Sequence, residues 1–379
     1  MIRKTLMDLL KAVLFAPRGE QGEPLIQLPP LPDSLDWDEL YRISTEQRVA
    51  TIVGYALQQR PDYGERGGRF AKAMMDAIGQ ESTIHFELEA LFEAFEKAGV
   101  DFCPMKGIVT KALYPLPWMR VMSDADLLMH AEDLPKVRPL FEEQGFAYEK
   151  SIGVHDVYWN ASGLYRVEPH SRLLSSWSAH GEYNQEVWKH MERCVPLRHQ
   201  YRMTAEGQYL HYLLHFDKHL HYNGAYVRDV VDFTLLRQQL GDRAAEAERV
   251  IDHMGLARLE QLLLGLSRAW FEGGTLTAQQ KKLENYLFRT FDANFPYQAC
   301  YNRERYYLEY RRRNGETNGR MFFPPVDKLR GEYPAIVQRR WLTPLYRVLA
   351  CAKQAALVAR HWLRMLYLRM RGAFPWKTE

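Results

Sequence analysis

Residues 113–129 read LYPLPWMRVMSDADLLM, and the last seven of them decide the fold. Asp124 and Asp126 stand two positions apart at the head of an apolar run through Leu127, Leu128 and Met129. On a β-strand, residues i and i+2 share a face. A strand here therefore sets both carboxylates side by side while Leu127 and Met129 turn toward a core. Like charges held that close raise one another's pKa unless a cation lies between them. A divalent metal is the natural neutraliser: Mg2+, or Mn2+ in its place, takes oxygen ligands and leaves positions open for water and substrate phosphates.

Upstream, VDFCPMKG (100–107) reads as a short strand and IVTKALY (108–114) as a brief helix. Gly107 lets the backbone approach a ligand closely. The first amides of the helix after it offer donors to a phosphate, and Lys106 adds a point charge beside them. Downstream, a helix over about 133–144 is closed by Gly145 and followed by three strand-like segments, FAYEK (146–150), HDVYWN (155–160) and LYRVEPH (164–170). The last carries Glu168, the candidate third acid, which on a neighbouring strand would complete a two-metal arrangement for phosphoryl transfer. Pro169 is expected to break strand pairing just after it.

The flanks are helical. Apolar residues recur at three and four through WDELYRISTEQRVATIVGYALQQ and STIHFELEALFEAFEKAG, the second ending at Gly99, and the Pro-rich GEPLIQLPPLPDS before them is a linker. Helical spacing returns over 205–222, 225–240 and 243–271; a loop spans 311–334 and a final helix starts near Pro344. The expected fold is α+β: a small mixed-sheet core flanked by N-terminal and C-terminal helical regions. Its expected divisions are 1–75, 76–200, 201–342 and 343–379, the last a basic amphipathic helix and tail.

At 379 residues the chain exceeds what one core usually holds. With 46% hydrophobic and 26% charged residues it can bury a large core, which excludes a chain dominated by disorder. The net charge of +3 hides an asymmetry: residues 339–379 hold nine Lys and Arg against one acid, so the remainder carries −5. Cys103, Cys194, Cys300 and Cys351 lie far apart with no C-x-x-C pair, which argues against a zinc ribbon or a disulfide framework and fits a reducing cytoplasm. The opening MIRKTLMDLLKAVLFAP is interrupted by Asp8 and Lys11 and reads as an amphipathic helix rather than a signal peptide. No apolar run is long enough to span a membrane.

Taken in order, MKG, LYPLPWMRVMSDADLLM, VEPHSRL and FDKHLHYNGAYVRDVVDFTLL resemble the uncharacterised bacterial nucleotidyltransferases of the DNA polymerase β superfamily. The resemblance runs over roughly residues 35–240 and lies in the collinearity of short motifs. It implies that Asp124 and Asp126 ligate metal, that Glu168 is the third acid, and that a nucleoside triphosphate is the substrate. A hydroxyl acceptor, which is a small molecule, a saccharide or a protein, would attack the α-phosphate and release pyrophosphate. Lys106, Gly107, Arg120 and Ser123 stand where nucleotide contacts are expected, with Lys111 a further phosphate contact. Where the wider superfamily has Gly-Ser or Gly-Gly, this chain has Lys106-Gly107. Two other readings stay open: a binding or scaffold protein that keeps the fold without chemistry, and a nucleic-acid-modifying enzyme.

Further candidates come from helical spacing. His211, His215 and His219 share one helix face, a zinc-capable geometry or a set of polar core histidines. His170, His219, Arg228 and Asp229 are candidates for an acceptor cleft, with Asp229 and Asp232 three apart on one face. In the last helix Lys353, Arg360, Arg364 and Arg371 flank an apolar seam. That pattern suits packing on protein, or contact with a polyanion or with the inner face of an anionic membrane.

Overall fold

The computed structural model describes residues 2–32, 34–151, 155–174, 183, 187–222, 224–288, 340–349 and 351–352. The chain divides into two units, Met1–Phe291 and Asp292–Glu379. In the first, helices α1 (Ile2–Leu14), α2 (Trp37–Glu46), α3 (Ala50–Leu57), α4 (Tyr63–Arg66) and α5 (Gly68–Ala98) precede strand β1 (Phe102–Pro104). Then come α6 (Gly107–Thr110), β2 (Asp124–Met129), α7 (Leu134–Glu143), β3 (Ala147–Ser151), β4 (Asp156–Trp159) and β5 (Arg166–His170). A small ribbon of β6 (Met191–Arg193) and β7 (Tyr201–Met203) leads to α8 (Ala205–Tyr222), α9 (Val227–Leu240), α10 (Ala244–His253), α11 (Ala257–Ser267) and α12 (Ala278–Phe288).

The order β1-β2-β5-β4-β3 makes one five-stranded mixed sheet. Only β2 and β5 run parallel; the other pairs are antiparallel. This is the α+β architecture expected, with helices before and after a small sheet. Pairing of β2 with β5 aligns Asp124 with Arg166, Asp126 with Glu168 and Leu128 with His170. One sheet face then carries Ala125, Leu127, Met129 and Val167, buried in a core with Ile84, Leu88, Leu91 and Phe95 of α5 and Val137 and Phe141 of α7. The opposite face carries the acids. Leu128, on that second face, belongs to the larger core built from α1, α3, α8, α9 and their neighbours.

Local chemistry accounts for the element ends. Gly99 (φ 69°) closes the 31-residue α5 in the left-handed conformation glycine tolerates. The 13-residue α1 would be marginal alone, but it buries Leu6, Leu9, Leu10 and Val13. At about 1.5–3 kcal/mol per aliphatic side chain that burial holds it in place. The stretch 243–271, continuous by periodicity, divides at Gly255, whose φ of 70° ends α10 before α11 begins.

Pairing continues through Pro169, contrary to expectation: β5 stays in register with β2 to His170. The missing N–H tells on the other side, where the ladder to β4 lapses after Val167 and resumes only as an isolated bridge between His155 and His170.

Among the described residues, no helix is long and apolar enough to cross a membrane. The expected loop over 311–334 lies outside the described residues. So do Lys353, Arg360, Arg364 and Arg371; of the last helix 343–349 and 351–352 are described, with Leu345, Val348 and Leu349 exposed.

Candidate active site

The acid face is built by alternation. Asp124 and Asp126 on β2, and Arg166, Glu168 and His170 on β5, point to one side because each is two residues from the next and the two strands are in register. Depth separates the acids. Asp124, at the strand entrance, is 44% exposed and, among the described residues, has only Arg166 Nη2 as a charged neighbour, at 3.8 Å, whereas Asp126 is 4% exposed and Glu168 10%.

Asp126 Oδ1 accepts a hydrogen bond from Lys106 Nζ at 2.7 Å and lies 2.8 Å from His170 Nε2. Burial disfavours the ionised carboxyl, but the Lys106 charge and His170 outweigh it and hold the pKa far below the ordinary aspartate value. Glu168 has His155 Nε2 at 3.3 Å, His170 Nε2 at 3.8 Å and Arg166 Nε at 2.7 Å, the last close but poorly aligned for a hydrogen bond. Burial pushes Glu168 upward and His170 pulls it down, leaving its pKa below the usual glutamate value. His155 is lowered to about 4, first by burial and then by His170. Three carboxylates thus face two fixed cations, Lys106 and Arg166, and two imidazoles.

Lys106 has φ 48° and ψ −119°, a region that suits glycine, at the start of α6. The phosphate cradle expected there is corrected. Amides of Ile108, Val109 and Thr110 already donate to Met105 and Lys106 carbonyls. Gly107 is required for another reason: a Cβ would lie 2.6 Å from Arg120 Nη1 and 3.1 Å from Met122 Sδ.

Arg120 is corrected as well. Its guanidinium is buried and pairs with Asp232 of α9, Nε and Nη2 both donating at 2.7–3.1 Å, while Tyr114 Oη donates to the same carboxylate at 2.5 Å. Lys111 is tied to Glu81 at 2.6 Å. Ser123 is exposed next to Asp124.

Opposite the acid face stands α8. His211 and His215 line a small cavity of about 20 Å3 with Lys106, Val109, Thr110 and Tyr212, among others, room on the order of one water. His219 Nε2 lies 3.1 Å from His215 Nε2. The zinc-capable triple is not formed; the two imidazoles contact each other. Burial, and then Lys106, lower all three, His211 to about 3 and His219 to about 4, so each is neutral at neutral pH. Lys218, on the same helix, is exposed at its surface; crowding by the protein and the Lys106 charge lower its pKa, and Asp126 and Glu168 hold it up. Arg228 donates to the Val121 carbonyl at 2.9 Å, and Asp229 caps α9 by accepting from Tyr226 N at 2.9 Å. Of the expected cleft residues, His170 stays at the acids and His219 contacts His215, while Arg228 ties α9 to the chain before β2 and Asp229 caps that helix.

His155, Arg166 and Lys218 were missed from sequence. Two of them were legible: Arg166 falls at strand spacing before Glu168, and Lys218 at helical spacing after His211 and His215. His155 needed the β4–β5 pairing.

One solved structure with partial similarity, that of the antibiotic-resistance factor ANT(2'')-Ia, is 13% identical and covers 48% of this chain and 96% of its own, at a TM-score of 0.35. No curated protein matches. The model of a family described as uncharacterised nucleotidyltransferase matches residues 33–272, which take in the whole sheet, both acid strands and helices α8 to α11. The chain belongs to that nucleotidyltransferase family.

Proposed function

We propose that the chain transfers a nucleoside monophosphate from a nucleoside triphosphate to a hydroxyl acceptor, with release of pyrophosphate, as the polymerase β-like nucleotidyltransferases it resembles do. The observation that carries this reading is the set of three carboxylates, Asp124, Asp126 and Glu168, on one face of two adjacent parallel strands. The donor chemistry suits a hard divalent cation: all three are carboxylates, and among the described residues Asp126 uses only Oδ1 in hydrogen bonds and Asp124 has Arg166 Nη2 as its nearest charged partner, at 3.8 Å. Mg2+ or Mn2+ held by these acids would supply charge neutralisation and orientation at the phosphates.

The chain's own residues do the rest. Lys106 holds its ammonium beside Asp126, and the charge of Lys218 on α8 is felt by Asp126 and Glu168, so both suit the negative charge of a triphosphate. The neutral His215 and His219 wall the cleft without adding charge. The acceptor oxygen bonds to the α-phosphorus as the bond to the pyrophosphate oxygen breaks, and the acceptor proton leaves toward the acid face. A small-molecule, saccharide or protein hydroxyl remains the acceptor class.

The test is incubation with each labelled nucleoside triphosphate and Mg2+, following pyrophosphate release. Asp124→Ala is expected to lower turnover by at least about 100-fold while leaving the fold intact; absence of both binding and turnover with all four triphosphates would refute the reading. One observation favours a second reading, a binding protein without chemistry: Lys106 Nζ already neutralises Asp126. That reading requires Asp124→Ala to leave the biological activity of the protein unchanged.

A further inference from the structure

Two imidazoles beside the acids, His155 and His170, do not fit an oxygen-only site. His155 Nε2 and His170 Nε2 both approach Glu168 Oε2, at 3.3 and 3.8 Å, and the three ligand atoms all lie within 4.8 Å of one another. Among the described residues this is the cluster of His, Cys, Asp and Glu with metal-holding geometry. From it we infer that His155, Glu168 and His170 form a binding site for a borderline divalent transition ion of the zinc type, one that shares Glu168 with the acid set of Asp124 and Asp126.

The distances support this. Ligand bonds of about 2.0–2.2 Å in a tetrahedral site put neighbouring ligand atoms about 3.3–3.6 Å apart. The two measured His-to-Glu separations bracket that spacing, so small side-chain rotations close the site. Two imidazoles and one carboxylate form the three-ligand set of open zinc sites, and imidazole selects such ions over Mg2+, which prefers oxygen throughout. The fold fixes the set: Glu168 and His170 are i and i+2 on β5, and the isolated bridge from His155 to His170 sets the third ligand against them. Nothing in this depends on nucleotidyl transfer.

Co2+ is the probe, because in a site with nitrogen ligands its visible d–d absorption reports binding without any turnover. Metal-stripped native protein titrated with Co2+ is expected to develop that absorption to one equivalent. Excess Zn2+ should abolish it and millimolar Mg2+ should leave it in place. His155→Ala and His170→Ala should each weaken Co2+ binding by at least about 100-fold, the upper end of what even outer-shell changes do, whereas Asp124→Ala should leave the spectrum as it is. His155, 15% exposed and at an isolated bridge, gives the milder variant and keeps the test informative if His170→Ala does not fold. The proposal is overturned if native protein shows no saturable absorption, if His155→Ala retains it, if Mg2+ displaces it, or if Asp124→Ala alone removes it.

Discussion

Lys106 carries two opposed contributions to stability. Its ammonium stabilises a carboxylate that is almost fully buried, and its backbone sits where a side chain costs about 1–3 kcal/mol. The two effects separate by substitution. Lys106→Ala and Lys106→Gly both strip Asp126 of its cation, and removal of one partner from a buried pair is expected to cost about 3–5 kcal/mol. Glycine relieves the φ of 48° and alanine does not. We expect Lys106→Gly to be the more stable of the two by about 1 kcal/mol, the reverse of the order at an ordinary position. Urea midpoints of the two variants decide it; alanine unfolding at the higher midpoint would show that the backbone there is unstrained. The same lysine explains how three acids can share a face: the cation that the Asp-x-Asp pattern calls for is supplied in part by the chain itself.

At the scale of elements, the ion pair of Arg120 with Asp232 joins the turn before β2 to α9, 112 residues later in the chain. With exposures of 8% and 0%, neither group can be rehydrated if its partner goes. Arg120→Met and Asp232→Leu should each cost about 3–5 kcal/mol, while the double variant should cost well under their sum, because the burial of an unmatched charge dominates each single change. A double-mutant cycle by chemical denaturation measures this, and additive losses would count against it. The pair also marks where reading from sequence stops. The strand of Asp124 and Asp126, the helix ends at Gly99 and Gly145 and the order of strands follow from spacing and turn chemistry within a few residues. Arg120, by contrast, looks like a phosphate ligand because its partner is remote, and Gly107 looks like a ligand contact although what it accommodates is Arg120. The small β6–β7 ribbon escaped for a related reason: strands of three residues carry too few alternations to register.

Across the whole molecule the site is a contact between a sheet face bearing carboxylates and a helix face bearing imidazoles, and the two faces respond to acid with the same sign. His211 is buried and His215 and His219 are half-buried on the helix face toward Lys106, and all three titrate below their unfolded value near 6.5, His211 at about 3 and His219 at about 4. Between those values and pH 6.5 the unfolded chain binds protons that the folded chain refuses, so stability falls as the pH drops. Asp126 and Glu168 have depressed values too; their contribution is present above about pH 4.5 and is lost only as the pH falls through their lower folded values. The histidines therefore act first. The expected result is a loss of stability setting in just below pH 6.5 and continuing toward pH 4, with an uptake of up to about four protons on unfolding in that window, because His155 on the sheet face, lowered to about 4, adds to the three of α8. Urea midpoints taken at half-unit pH intervals give the slope. His211→Leu, which removes the most deeply enclosed of the three, should flatten it by about one proton. A profile that is level from pH 7 to pH 5 would mean that the helix face meets protons as freely when folded as when unfolded, and that α8 does not close over the acids.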